Sequence, residues 1–123
     1  MTLNEYQEQA MTTCLPEAEN FTYMMLNLVG EVGEFAGKVA KAIRKGQYKT
    51  KPNGNLCAAI SLSMEDHINL RDELAKEAGD ILWQLSGLCS VMGWRLEDIA
   101  QQNLDKLADR KFRQVIDGSG DDR

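Results

Sequence analysis

The sequence predicts an all-α protein, a small helical bundle of three long helices with one short helix in front of them. Apolar residues recur every three or four positions along three long stretches, and almost nothing alternates with the period of two that a half-buried strand requires. Each stretch is also bounded by capping and stop residues. With 123 residues, 43% hydrophobic and 27% charged, the chain is sized for one domain over residues 1–116, followed by a flexible polar tail at 117–123.

Leu3, Tyr6, Ala10 and Met11 share one face of a short amphipathic segment over 3–13, which Pro16 closes. The first long helix is expected from Thr22 to Lys45, with a basic last turn of Lys41, Arg44 and Lys45 and with Gly46 as a left-handed cap. Residues 46–63 read as a connection, since Lys51-Pro52-Asn53-Gly54-Asn55 is turn chemistry, and a loop of that length is often functional. The second long helix is expected over Asp66 to Met92, with Ser63 and Asp66 forming a capping box and Gly93 stopping it. The third is expected over Leu96 to Ile116, carried by Leu96, Ile99, Leu104, Leu107, Phe112 and Val115.

Fourteen basic against nineteen acidic residues leave a net charge of −5, which removes the broad cationic surface that nucleic-acid binding requires. No apolar run is long enough to span a membrane, and the first residues lack a signal-peptide pattern, so a cytoplasmic location is expected. Cys14, Cys57 and Cys89 are odd in number and contain no C-x-x-C pair, which suits free thiols in a reducing compartment. A catalytic thiol would want a histidine, and the one histidine is His67.

Acidic pairs at i, i+3 occur as Glu5/Glu8, Glu31/Glu34 and Glu77/Asp80, about the number chance alone would give. Their placement says more than their count. At 100° per residue from Leu28, the apolar arc of the first long helix covers about 120°, with Glu31 at about 300° and Glu34 at about 240°. Measured from Leu74 on the second, Glu77 and Asp80 fall at the same two angles, about 300° and 240°. If the two arcs pack antiparallel, both pairs line one cleft at the edge of the core.

Four carboxylates in one half-buried cleft repel one another unless a cation neutralises them. All-oxygen ligands without histidine suit Mg²⁺ or Mn²⁺, which commonly bridge to phosphates. The structural alternative is that both pairs are solvated flanks bonded to Lys38, Lys41 or Lys76. Gly30, Gly33 and Gly37 within one helix point to close approach by a helix or a ligand. Asn103, Lys106 and Arg110 form one donor face on the third helix that suits phosphate oxygens, or else a solvated basic flank.

These residues resemble the MazG-type all-α nucleoside triphosphate pyrophosphohydrolases. The likeness lies in Gly30-Glu31-Val32-Gly33-Glu34-Phe35, in the run from Asp72 to Trp83, and in that from Asn103 to Arg110, which in this order span most of residues 22–113. The resemblance implies Glu31, Glu34, Glu77 and Asp80 as Mg²⁺ ligands and Asn103, Lys106 and Arg110 as holders of the triphosphate. It implies hydrolysis between the α and β phosphates of an NTP or dNTP, giving a nucleoside monophosphate and pyrophosphate, in nucleotide-pool control or house-cleaning. The family often has a lysine three residues before the third acid, where this chain has Leu74; Lys38 and Lys76 are its substitutes, and Glu73 joins as base or supporting group. Asn27, Trp83, Gln84 and the long loop are the candidates to touch a base.

Exposed Tyr23, Met25 and Trp94 imply a homo-oligomer, a dimer or tetramer. The alternative reading is a non-catalytic helical-bundle interaction or regulatory module that uses Met24, Met25, Trp83 and Trp94 as contact surface.

Overall fold

A computed structural model describes residues 1–123 as four α-helices and a two-stranded hairpin. Helix α1 (Leu3–Met11) opens on a capping box in which Thr2 Oγ1 accepts the Glu5 N–H and the Glu5 carboxylate accepts the Thr2 N–H. After a 3₁₀ turn at Pro16–Ala18, α2 (Phe21–Arg44) starts under Asn20, whose Oδ1 accepts the Tyr23 N–H at 2.9 Å. It ends in a Schellman closure: Gly46 has φ +71°, and the Gln47 N–H reaches back to Ala42 O at 2.9 Å.

The connection expected over 46–63 holds a short antiparallel hairpin, β1 (Tyr48–Thr50) with β2 (Leu56–Ala58), in register Tyr48↔Ala58 and Thr50↔Leu56. Strands of three residues are too short to show a period-two signal, and the Pro-Asn-Gly turn between them is what the sequence displays. Tyr48 is buried, and its hydroxyl lies 3.1 Å from His67 Nδ1. His67 therefore pins the hairpin to the next helix.

Helix α3 (Met64–Val91) begins two residues before the predicted Asp66, with Ser63 Oγ accepting the Asp66 N–H at 3.1 Å. Helix α4 (Leu96–Phe112) stops short of the predicted Ile116. Gln114 takes a left-handed φ of +57° and the Val115 N–H bonds to Arg110 O, so a glutamine closes this helix as Gly46 and Gly93 close α2 and α3. The tail then folds back, with Arg123 donating to Val115 O and Arg113 to Arg123 O.

Helices α2 and α3 share the most extensive contact, and α1 packs on α3 and α4. Two residues fix these contacts. Met24 is fully buried over Gly87, where any Cβ would collide with its thioether. Gln7 is buried on α1, donates to Ser90 Oγ and Trp94 O at 3.0 Å each, and accepts the Leu96 N–H at 2.8 Å. One amide thus holds the α3–α4 corner against α1.

The core is thin. Only 12 of 123 residues are buried, and Met25, Val32, Leu82 and Leu85 on the arcs expected to be core are exposed. The covered stripe of α2 runs instead along Met24, Leu28, Glu31, Phe35, Lys38 and Ala42, so the helix seam is rotated toward the acids. The helix glycines change meaning with it: a Cβ on Gly33 or Gly37 would meet nothing within 4 Å, so no neighbour in the chain requires them. Met24, expected by the interaction reading at the surface, is interior. No helix is long and apolar enough to cross a membrane.

Candidate active site

The seam between α2 and α3 carries the acids. Carboxylate oxygens of Glu31, Glu34 and Glu77 lie within 4.8 Å of one another, with Glu77 buried, Glu31 half-buried and Glu34 exposed. Glu31 is held by Asn27, whose amide donates to its Oε1 at 3.3 Å. Burial pushes the Glu31 carboxyl above the usual glutamate range, and the negative charges of Glu34, Asp80 and Glu77 push it further. Asp80 lies outside the tight cluster but near enough to act on Glu31. It also raises the Tyr6 phenol, which burial raises more.

Lys38 supplies the one cation inside the group, 3.0 Å from Glu77 Oε1 and 3.8 Å from Glu73. The hydrogen bond to Glu77 raises the Lys38 pKa, with the charges of Glu77, Glu73 and Glu34 adding to it against burial. Of the two lysines expected to replace the one missing at Leu74, Lys38 is therefore at the acids, whereas Lys76 makes no ion pair.

The other expected site residues stand apart. Arg110 is buried on α4 and donates to the Asp121 carboxylate at 2.9 Å, and Lys106 contacts the same carboxylate at 3.2 Å. Those two bonds hold the Asp121 carboxyl below the usual aspartate range. Asn103 borders an apolar cleft with Leu82, Leu85 and Leu104. Lys106 and Arg110 thus pair with the tail, and neither makes an ion pair with Glu31, Glu34, Glu77 or Asp80. The Trp83 indole N–H is taken up by Ala10 O and Thr13 Oγ1 at the end of α1.

Tyr6 beside Asp80 escaped the sequence reading, which placed it on an apolar face; nothing in the spacing marks a phenol for a carboxylate on another helix. Gln84 is buried with its Oε1 unpartnered.

The donor set fits a divalent cation. Glu77 Oε2 is buried with no hydrogen-bond partner, an arrangement that costs free energy unless something positive meets it. Three converging carboxylates with a single lysine leave uncompensated charge, and hard oxygen ligands are what Mg²⁺ and Mn²⁺ take.

Comparison with known proteins agrees with this arrangement. Residues 19–113 match the family model described as the MazG nucleotide pyrophosphohydrolase domain. The chain is 38% identical over 106 residues to the Gene 37 protein of Mycobacterium phage L5, covering 85% of this chain and 78% of that one. No solved structure matches. The matched span contains all four acids, Glu73 and the donor face of α4, and the chain belongs to the MazG nucleotide pyrophosphohydrolase domain family.

Proposed function

We propose that the protein is a Mg²⁺- or Mn²⁺-dependent nucleoside triphosphate pyrophosphohydrolase that cleaves an NTP or dNTP between the α and β phosphates. The observation that carries the reading is the convergence of Glu31, Glu34 and Glu77 within 4.8 Å around a buried, unpartnered carboxylate oxygen. These three with Asp80 would hold the cation, which when bound supplies charge neutralisation and Lewis-acid polarisation of the phosphates.

The chain's own residues do the rest. Asn27 orients Glu31 toward the cluster by donating to its Oε1. Glu73, through Lys38, supports Glu77 from one turn away. Lys106 and Arg110 hold an oxyanion in the free protein, the Asp121 carboxylate, and phosphate oxygens would take its place with Asn103 alongside.

The same reading includes a homo-oligomer in the cytoplasm. Leu26, Val29 and Val32 on α2 and Leu104 and Phe112 on α4 are exposed, more apolar surface than a soluble monomer of this size leaves open. Light scattering at micromolar concentration should give at least twice the 13.8 kDa chain mass. Incubation of the protein with a panel of ribo- and deoxynucleoside triphosphates, with analysis of both products, tests the activity; monophosphate and pyrophosphate are expected. A protein that binds no divalent cation and turns over no nucleotide would leave the interaction-module reading in its place.

A further inference from the structure

Beside the acids the same two helices carry a second, basic feature. Along α2, Glu31, Glu34, Lys38, Lys41 and Lys45 follow one another at steps of three and four, which is a single stripe. Along α3, Asp80, Glu77, Glu73 and Asn69 run the opposite way on the equivalent stripe. The antiparallel pairing makes one groove, acidic at the Glu31 and Asp80 end and basic toward the end of α2. At that end lies a cleft of about 460 Å³ lined by Lys38, Lys41, Lys45 and Gln47 and, from α3, by Asp66, Asn69 and Glu73.

Lys38 joins the two halves, since it lines the cleft and pairs with Glu77. Lys41 and Lys45 make no ion pair, so their charge is free for a ligand, and with Lys38 they outnumber the two acids of the cleft. Helical rise sets Lys38 about 6 Å and Lys41 about 10 Å beyond Glu34 along the axis, in line with a phosphate chain anchored at the acids.

We infer that this cleft is the subsite for the β and γ phosphates and then for pyrophosphate, held by Lys41 and Lys45. The inference rests on the proposed pyrophosphohydrolase reading and specifies which end of the groove takes the leaving group. In the hydrolysis the water oxygen joins the α phosphorus, and the bond from that phosphorus to the bridging oxygen breaks. The electron pair leaves with pyrophosphate, while the water proton passes by way of a carboxylate to solvent. The departing charge therefore develops on the fragment that the lysines face, where charge-assisted bonds stabilise it.

The test is calorimetric titration of inorganic pyrophosphate into the full-length protein with Mg²⁺ present, comparing wild type with the Lys41→Ala/Lys45→Ala double variant. Both lysines are exposed, so the variant should fold. Wild type should bind pyrophosphate, and the double variant about tenfold or more weakly. Titration of Mg²⁺ alone should be unchanged, and the Lys41→Arg/Lys45→Arg variant should keep most of the affinity. Raising the salt concentration should weaken the wild type more than the Ala variant. Equal pyrophosphate affinity in wild type and the Ala variant, or no binding to wild type, overturns the subsite; so does a tenfold loss in Lys106→Ala with none in the double variant. A wild type that binds pyrophosphate through these lysines yet hydrolyses no triphosphate would sink the proposed reaction and leave the subsite standing.

Discussion

Lys38 Nζ lies 3.0 Å from Glu77 Oε1, while the other oxygen of the same carboxylate is buried without a partner. One lysine thus compensates part of a cluster built from Glu31, Glu34, Glu77 and the nearby Asp80. One positive charge among four carboxylates leaves most of the negative charge uncompensated, which suits the uptake of a cation.

Glu34→Gln should abolish triphosphate turnover while leaving the metal-free protein as stable as wild type or more so, because a like charge leaves the cluster. Mg²⁺ at a hundredfold excess over its Kd should stabilise wild type by about 2.7 kcal/mol through linkage, and the variant by less. Glu8→Gln is the control: Glu8 pairs with Arg95 at 2.8 Å on the surface, so its loss should cost at most about 1 kcal/mol and leave turnover alone. Thermal melts with and without Mg²⁺ read all three proteins, and equal Mg²⁺ shifts in wild type and Glu34→Gln would remove Glu34 from the site.

Gln7→Leu should destabilise the fold by about 2 kcal/mol or more, because the Leu96 N–H and Trp94 O then lose their buried partner. Urea denaturation measures it. A loss under a few tenths of a kcal/mol would mean that the amide does not hold the α3–α4 corner.

Gly87→Ala and Gly33→Ala should move stability in opposite directions. The first forces a methyl group into the buried Met24 thioether and should cost about 1–3 kcal/mol. The second meets open space in the chain and should gain up to about 1 kcal/mol from helix propensity. A Gly33→Ala variant that instead falls apart into monomers would place that glycine under a second copy.

Much of this arrangement was legible beforehand, and the illegible part has physical causes. The stripe that carries Glu31, Glu34, Glu77 and Asp80 follows from helical periodicity, and the three long helices were visible with most of their ends, apart from the start of α3 at Met64 and Gln114 doing a glycine's work at the end of α4. Burial was less legible. The seam lies off the middle of the apolar arcs, and Met24 seats on Gly87 across it, a contact between helices that no local pattern encodes. Gln7 reads as a surface residue by type, and only the tertiary meeting of α1 with the α3–α4 corner gives its amide three partners. The hairpin was hidden by its brevity.

The tail should come loose in acid. The Asp121 pKa is lowered by its bonds to Arg110 and Lys106, so the folded form binds fewer protons than the unfolded form, and this contact stabilises above the ordinary aspartate pKa of about 3.9. It is lost as the pH falls through the lowered folded value. Carboxyl NMR titration should show Asp121 titrating below that ordinary value, and an Asp121 that titrates normally would refute the contact. Asp121→Asn should also free Lys106 and Arg110 and lower the KM for a triphosphate if that pair holds phosphate.

The most direct test of the central claim is product analysis of a nucleoside triphosphate incubated with the full-length protein, with Mg²⁺ and with chelator. Equimolar nucleoside monophosphate and pyrophosphate, formed with Mg²⁺ and abolished both by chelator and by Glu34→Gln, is the predicted result. Release of orthophosphate in place of pyrophosphate, or turnover undiminished in chelator, would contradict it.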